Sequence, residues 1–298
     1  MPRSPAADLA VFEAHRALLM AHAYRMLGDF GRAEDMVQEA WLRWEGRREE
    51  PTSPRAYLVT LLTRLCINEL DSARSRREQS RSDRLPEPVA VSEGGLDRVE
   101  MLDRISMAFL VALQRLTPGE RAVLLLREVF DFEYSEIARL VDKSEATCRK
   151  LLERARENIV AEKRLFAASP EAHRRLLTAF TQAASEGDID RLVGILAEDA
   201  VMITDGGPGG RRVGGVHNLS APLQGARKIA MFVSATARSA DLETEMRELN
   251  GQPALVFYDE GSPFAVLLLG VADGRIHRVY FHADLDRLNH IGPRTGRL

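Results

Sequence analysis

The hydrophobic period of this 298-residue chain changes once, after Ser169-Pro170, and no other feature limits its fold as much. Up to that point apolar residues recur at the spacing of amphipathic helices. Beyond it two helix-like stretches, about 171–185 and 189–197, give way to Gly-rich turns and β-type runs. Those runs are Val201-Met202-Ile203, Ala254 to Tyr258, Phe264 to Leu269, and Ile276 to Phe281, the last with polar residues interleaved as in a half-exposed strand. One layer architecture cannot serve both textures, so an all-α part is expected to precede an α+β domain. The all-α part is itself interrupted by Pro and Gly punctuation. The expected organisation is a helical module at 1–81, a linker at 82–97, a second helical module at 98–168 and an α+β domain at 169–298.

Composition narrows the class. With 45% hydrophobic and 29% charged residues the chain can bury real cores. Cys66 and Cys148 are too few for a disulfide framework, and both lie in helix-like patterns, which points to a reducing cytoplasm. No window approaches the roughly 20 apolar residues of a membrane span, and the first ten residues lack the apolar core of a signal peptide. His15 and His22 fall seven apart on one helix with no third ligand nearby, so they read as a surface pair. No metal and no cofactor is expected.

The net charge of −3 argues against a grossly basic nucleic-acid coat protein, but charge is locally sorted. Between residues 72 and 84, Arg74, Arg76, Arg77, Arg81 and Arg84 face only Glu78 and Asp83. Between 143 and 156, Lys143, Arg149, Lys150, Arg154 and Arg156 face only Glu145 and Glu153. A solvated helix face is the common explanation of such runs; a small DNA-reading surface is the other.

The second run sits in a helix-turn-helix layout. Thr117-Pro118-Gly119-Glu120 carries the signals of a capped helix start. A second helix is expected at about Tyr134 to Leu140, with Ile137, Ala138 and Val141 inward. Asp142-Lys143 makes the turn, and Ser144 caps a third helix to about Arg156. Cys148, Leu151 or Leu152, and Ala155 face its core, while Thr147, Lys150 and Arg154 form an outward stripe. Such a helix can enter the major groove, short polar residues at base edges and cations on phosphates. An ordinary three-helix bundle has the same local pattern.

In the N-terminal module, Leu18, Leu19, Ala23, Met26 and Leu27 form a stripe on the first helix, which Gly28-Asp29 ends. The next, Arg32 to Trp44, has a mostly anionic strip at Glu34, Asp35, Gln38 and Glu39, suited to solvent or to a basic partner. A third helix opens at Ser53-Pro54-Arg55 and carries Tyr57, Leu61, Leu65 and Ile67 into the first arginine run. An aromatic followed by a basic helix can hold a separated DNA strand by stacking and phosphate contacts.

These residues resemble a known family. Ala23-Tyr24-Arg25-Met26-Leu27-Gly28, Ala33-Glu34-Asp35-Met36-Val37-Gln38-Glu39-Ala40-Trp41-Leu42 and Pro54-Arg55-Ala56-Tyr57-Leu58 resemble region 2 of the extracytoplasmic-function (ECF) sigma factors. Leu116 to Glu128, Tyr134 to Ala138, and Ser144 to Leu151 with Arg154-Ala155-Arg156 resemble region 4. The last block is similar to the subgroup with a SnoaL-like C-terminal domain, a cone-shaped α+β barrel. That subgroup's Leu-Pro-Glu-Pro linker is present as Leu85-Pro86-Glu87-Pro88, although Arg84 stands where its tryptophan is expected. Its Asp-Gly-Gly-Gly loop appears as Asp205-Gly206-Gly207-Pro208, and its Asn-Pro-Asp-Lys-Leu motif aligns with Asp284-Leu285-Asp286-Arg287-Leu288.

The resemblance implies a multidomain protein that is not an enzyme. It would bind core RNA polymerase and promoter DNA, be a monomer when free, work in the cytoplasm and touch no membrane. Asp35, Gln38, Glu39 and Trp41 would dock on polymerase. Tyr57, Asn68, Asp71, Arg74, Arg76 and Arg77 would meet the −10 element. Ser144, Glu145, Thr147, Arg149, Lys150 and Arg154 would meet the −35 element. Leu85, Pro86, Glu87, Pro88, Asp205, Gly206, Gly207, Asp286, Arg287 and Leu288 would regulate. The alternative is a DNA-binding regulator whose C-terminal domain binds a small-molecule effector or retains isomerase or cyclase activity on polyketides or steroids. For such chemistry Asp205, His217, Tyr258, His277, Tyr280 and His282 are available, though none forms a catalytic spacing, and strand His and Tyr are more often core residues.

Overall fold

The computed structural model describes residues 5–77, 84–90, 106–163, 165, 168–207, 212–213, 216–217, 219, 221–237 and 242–294, with backbone alone for 5, 73–77, 161–163, 212–213 and 216–217. The chain forms two compact units. One comprises 1–81, 95–101 and 112–161; the other comprises 82–94, 102–111 and 162–298. Most of the expected linker and residues 102–111 of the second helical segment thus go with the C-terminal domain, a grouping that Pro and Gly punctuation does not reveal.

In the first unit, α1 (Pro5–Leu27), α2 (Phe30–Glu45) and α3 (Pro54–Arg77) pack together. Asp29 caps α2, its Oδ1 accepting from the Arg32 N–H at 2.9 Å. The amphipathic face of α2 buries Ala33, Val37, Ala40 and Trp44. Trp44 is fully enclosed; its Nε1 donates to the Asp8 carbonyl at 3.1 Å, and the Arg47 guanidinium lies 3.4 Å from its ring centre. Arg47 in turn pairs with Asp8 at 2.6 Å.

The first helix departs from the single stripe expected of it. Phe12, Leu19, Ala23, Tyr24 and Met26 are all fully buried, because α2, α3 and α5 (Pro118–Glu128) enclose α1 on several sides. This corrects the expected surface histidine pair. His22 has no solvent exposure; its Nε2 lies 2.8 Å from Thr63 Oγ1, and its ring meets Phe130 edge-on at 4.8 Å. Burial first, and Arg25 second, push its imidazole down to about 3. Among the described residues no group of His, Cys, Asp or Glu could hold a metal ion.

Helix α4 (Met107–Gln114) precedes α5, followed by α6 (Tyr134–Val141) and α7 (Glu145–Lys163). The expected capping box opens α5: Thr117 Oγ1 accepts from Glu120 N–H at 3.3 Å, and Glu120 Oε2 accepts from Thr117 N–H at 3.0 Å. Ile137, Ala138 and Leu140 are buried on α6; Val141, expected inward, is half-buried because the helix ends there in a left-handed Asp142 (φ 53°).

In the second unit, six strands form a mixed sheet in the order β4-β1-β8-β7-β6-β5, with β1 (Leu196–Asp205) parallel to β8 (Arg275–His282) and the other neighbours antiparallel. The remaining members are β4 (Leu223–Gln224), β5 (Glu243–Leu249), β6 (Gln252–Asp259) and β7 (Ser262–Ala272); β2 (Arg212–Val213) and β3 (Val216–His217) pair separately. Helices α8 (Pro170–Glu186), α9 (Ile189–Ile195) and α10 (Ala226–Ala237) cover one face. The helix α10 lies in a stretch where only turns and β-type runs were expected.

Strand alternation sorts the side chains between two cores. Leu255, Phe257, Leu267, Leu269 and Phe281 face the helices. Ala254, Val256, Tyr258, Val266, Leu268 and Tyr280 face the other way, where Leu85, Met107, Ala108, Val111, Leu165, Leu288 and Ile291 cover them. The sheet is therefore buried on both faces, which explains why β7 reads as a continuous apolar run.

Candidate functional site

Helices α6 and α7 meet at a tight turn, and the exposed start of α7 is built as expected. Ser144 Oγ accepts from Thr147 N–H at 3.2 Å and lies 2.8 Å from Thr147 Oγ1. Cys148, Leu152 and Ala155 are buried, Leu151 is half-buried, and Glu145, Thr147, Lys150 and Arg154 are exposed. The cations are not equivalent. Arg149 pairs with Glu145 at 3.0 Å and lies 4.6 Å from the Tyr134 ring centre, while Arg156 is paired with Glu128. Lys150 and Arg154 are the cations of the outward stripe that carry no ion pair among the described residues.

On α2, Asp35 and Gln38 are exposed, Glu39 pairs with Arg43 at 2.8 Å, and Trp41 is half-buried edge-on to Phe12 at 5.1 Å. Leu42, seven residues after Asp35 and four after Gln38, is 56% exposed on the same side. The sequence reading missed this apolar contact in a polar strip; an aliphatic residue out of phase with the buried stripe was its signal.

On α3, Tyr57 is exposed at its edge but packs on Trp44 at 5.8 Å between ring centres; Asn68 and Asp71 are exposed. Arg64 shares their face and donates to the Arg139 and Leu140 carbonyls at 2.9 and 3.1 Å, satisfying the end of α6. Arg121 of α5 likewise reaches the Met26 carbonyl at the end of α1. Arg74, Arg76 and Arg77 continue α3, and their side chains lie outside the described residues.

The residues of the linker and the two C-terminal motifs come together in one buried knot. Leu85 to Val89 are all buried. The Leu85 N–H donates to Asp205 Oδ2 at 2.9 Å, and Arg287 donates to the Leu85 carbonyl at 2.6 Å while lying 3.5 Å from Asp205 Oδ2. Asp205 Oδ1 also accepts from Gly207 N–H at 3.0 Å. Gly207 has φ 73°, and a side chain there would meet the Asp284 carboxylate carbon at 2.8 Å. Glu87 lies 3.4 Å from His290, and Val89 exchanges hydrogen bonds with Asn250 through its N–H at 3.1 Å and its carbonyl at 3.0 Å. Pro86, Pro88 and Leu288 are buried, Gly206 is half-buried and Asp286 points outward; Pro208 is outside the described residues. The sequence reading missed Asn250 and Gln252, the latter accepting from the Met107 N–H at 3.3 Å and so tethering the start of α4.

Of the residues considered for catalysis, the structure brings Asp205 and His282 together and sets Tyr258 and His277 elsewhere on the sheet. Tyr258 and Tyr280 face the linker side of the sheet, and Tyr258 Oη accepts from Arg247 at 3.2 Å. His282 is fully buried 3.9 Å from Asp205; desolvation, then Arg287 and Arg84, holds its imidazole well below the usual range. His277 lies 3.6 Å from Asp199 at the opposite end of β8, and the His217 side chain is outside the described residues.

A helical module joined to a helix-turn-helix defines the class. Residues 11–76 match Sigma-70 region 2, and residues 106–159 match Sigma-70, region 4. A Mycobacterium tuberculosis protein described as a probable ECF RNA polymerase sigma factor, SigI, is 32% identical over 297 residues, covering 96% of this chain and 97% of the relative. ECF sigma factor SigJ of the same organism is 37% identical over 205 residues, covering 66% of this chain and 65% of its own. The SigJ crystal structure superposes with a TM-score of 0.73 at 26% identity, covering 95% of this chain and 98% of that one. The chain belongs to the ECF RNA polymerase sigma factors. It is thus a promoter-recognition factor, whose partners are core RNA polymerase and promoter DNA. Among the described residues no helix is long and apolar enough to cross a membrane.

Proposed function

We propose that this sigma factor carries its own regulator. The C-terminal domain grips the chain that joins the two promoter-reading modules and so governs how far apart they can work. The observation that carries this reading is the buried Leu85 strap, held at both its N–H and its carbonyl by Asp205 and Arg287. The chain between α3 and α5, residues 78–117, would reach at most roughly 130 Å if fully extended. Pinning Leu85 to Val89 and the start of α4 on one sheet removes most of that reach.

In this reading Asp35, Gln38, Glu39, Trp41 and Leu42 dock on polymerase. Asn68, Asp71 and the arginines that follow meet the −10 element. Ser144, Thr147, Lys150 and Arg154 meet the −35 element, with Arg149 orienting the helix through Glu145 and Tyr134. The C-terminal domain acts as a sensor of a small molecule rather than as an enzyme, since Tyr258 and Tyr280 face the linker side of its sheet and His282 is buried against the linker's Asp205 anchor. The protein works in the cytoplasm as a monomer, which two buried, unpaired cysteines suit. The test is in vitro transcription with core polymerase from a related bacterium, comparing wild type with Asp205→Ala/Arg287→Met. Wild type should direct specific initiation, and the variant should change transcript yield about threefold or more at the same start sites, a shift of about 0.65 kcal/mol or more. Absence of specific initiation refutes the promoter reading; equal yields refute self-regulation.

A further inference from the structure

The C-terminal sheet, α8 and α10 enclose a cavity of about 600 Å³, well within the range of sites that take small molecules. Phe180, Phe232, Leu255, Phe257, Leu267 and Phe281 make most of its wall. Its polar groups are neutral, and nearly all have spent their donors. Thr178, Thr181, Ser185 and Thr236 donate their hydroxyls to the Arg174, Leu177, Gln182 and Phe232 carbonyls of their own helices, at 2.8 to 3.0 Å. The Gln182 amide donates to Glu186 and accepts from Arg191. A hydroxyl that has donated can still accept. The wall therefore offers carbon and acceptors, and among the described residues no Asp, Glu, His, Lys or Arg lines it.

We propose that this cavity binds a neutral, largely apolar organic molecule of two or three rings, carrying a hydroxyl or amine donor at most, and rejects carboxylates, sulfonates and phosphate esters. An anion entering it would lose its hydration and find no cation and few free donors, whereas a neutral ring system gains the apolar wall. As the input of the self-regulation proposed above, the site deepens that reading, but binding is measured without transcription, so either can fail alone.

The experiment titrates the full-length protein with N-phenyl-1-naphthylamine, whose fluorescence rises in apolar surroundings, and with its 8-sulfonate, which differs by one anionic group. The neutral probe should bind saturably at one per chain, and the sulfonate about tenfold more weakly or worse. Val233→Trp, which fills the cavity, should weaken the neutral probe about tenfold or more. Thr181→Glu, which places a charge on the half-buried wall, does the same and serves where the tryptophan variant misfolds by circular dichroism. Equal binding of the two probes, no saturable binding of the neutral one, or undiminished binding in the folded variants would overturn the proposal.

Discussion

Replacing Asp205 by alanine tests the knot most directly. The carboxylate is 5% exposed and accepts from the Leu85 and Gly207 N–H groups beside the equally buried Arg287. Its loss takes the anion from beside the buried Arg287 guanidinium and the acceptor from the Leu85 and Gly207 amides, at a cost of about 3–5 kcal/mol. Arg287→Met leaves Asp205 its two backbone donors but orphans the Leu85 carbonyl, at about 2–3 kcal/mol. In the double variant neither the Asp205 nor the Arg287 charge remains, and the Leu85 peptide groups and the Gly207 N–H lose these partners, at about 2–4 kcal/mol. The double should therefore fall short of the sum of the singles by about 2 kcal/mol or more. Urea unfolding should be followed by circular dichroism, because both tryptophans, Trp41 and Trp44, lie on α2 and report only on that module. Hydrogen exchange supplies a local readout: the Leu85 amide should lose protection in Asp205→Ala. Additivity within about 0.5 kcal/mol would refute the coupling, as would an unchanged Leu85 amide.

Two further outcomes follow from the site geometry and from burial. Lys150→Ala and Arg154→Ala should each weaken promoter binding by the holoenzyme and lower the salt dependence by about one counterion, while Arg149→Ala, whose cation is already paired, should change the slope less; binding isotherms across salt concentrations check this. The imidazoles of His22, His173 and His282 are all lowered by burial. Below their unfolded value of about 6.5 the unfolded chain takes up protons that the folded chain refuses. Their contribution is thus complete above about pH 6.5 and is lost as pH falls, by up to about 1.4 kcal/mol per pH unit for each fully buried ring, down to about 3 for His22. Urea midpoints that hold constant from pH 7 to 5 would contradict these burials.

The reach of sequence reading differs between the helical and the C-terminal parts for a physical reason. Helix starts depend on groups three residues apart, so the Thr117–Glu120 box and the Ser144 cap are legible from local spacing and recur in the structure. The outward stripe of α7 is legible too, because a helix of 3.6 residues per turn assigns each residue a face. Of the other cations on that helix, Arg149 pairs locally with Glu145, and only tertiary contacts place it over Tyr134 and pair Arg156 with Glu128; Lys150 and Arg154 carry no ion pair among the described residues. His22 was misread for the same reason: one helix's periodicity says nothing of how many neighbours surround it.

By itself the sequence determined that helices precede an α+β domain, where the caps and the recognition helix fall, and which family the motifs belong to. All of these rest on contacts a few residues apart or on short motifs. Only the tertiary structure decided which side of the C-terminal sheet Tyr258 and Tyr280 face, and that Leu85 to Val89 and Met107 close that sheet's second face. Those partners lie more than a hundred residues apart, as with Leu85 and Asp205 or Met107 and Gln252, and side chains of period two carry no label for what will cover them. The linker's Pro and Gly mark a break in local structure, whereas its burial is a property of the fold.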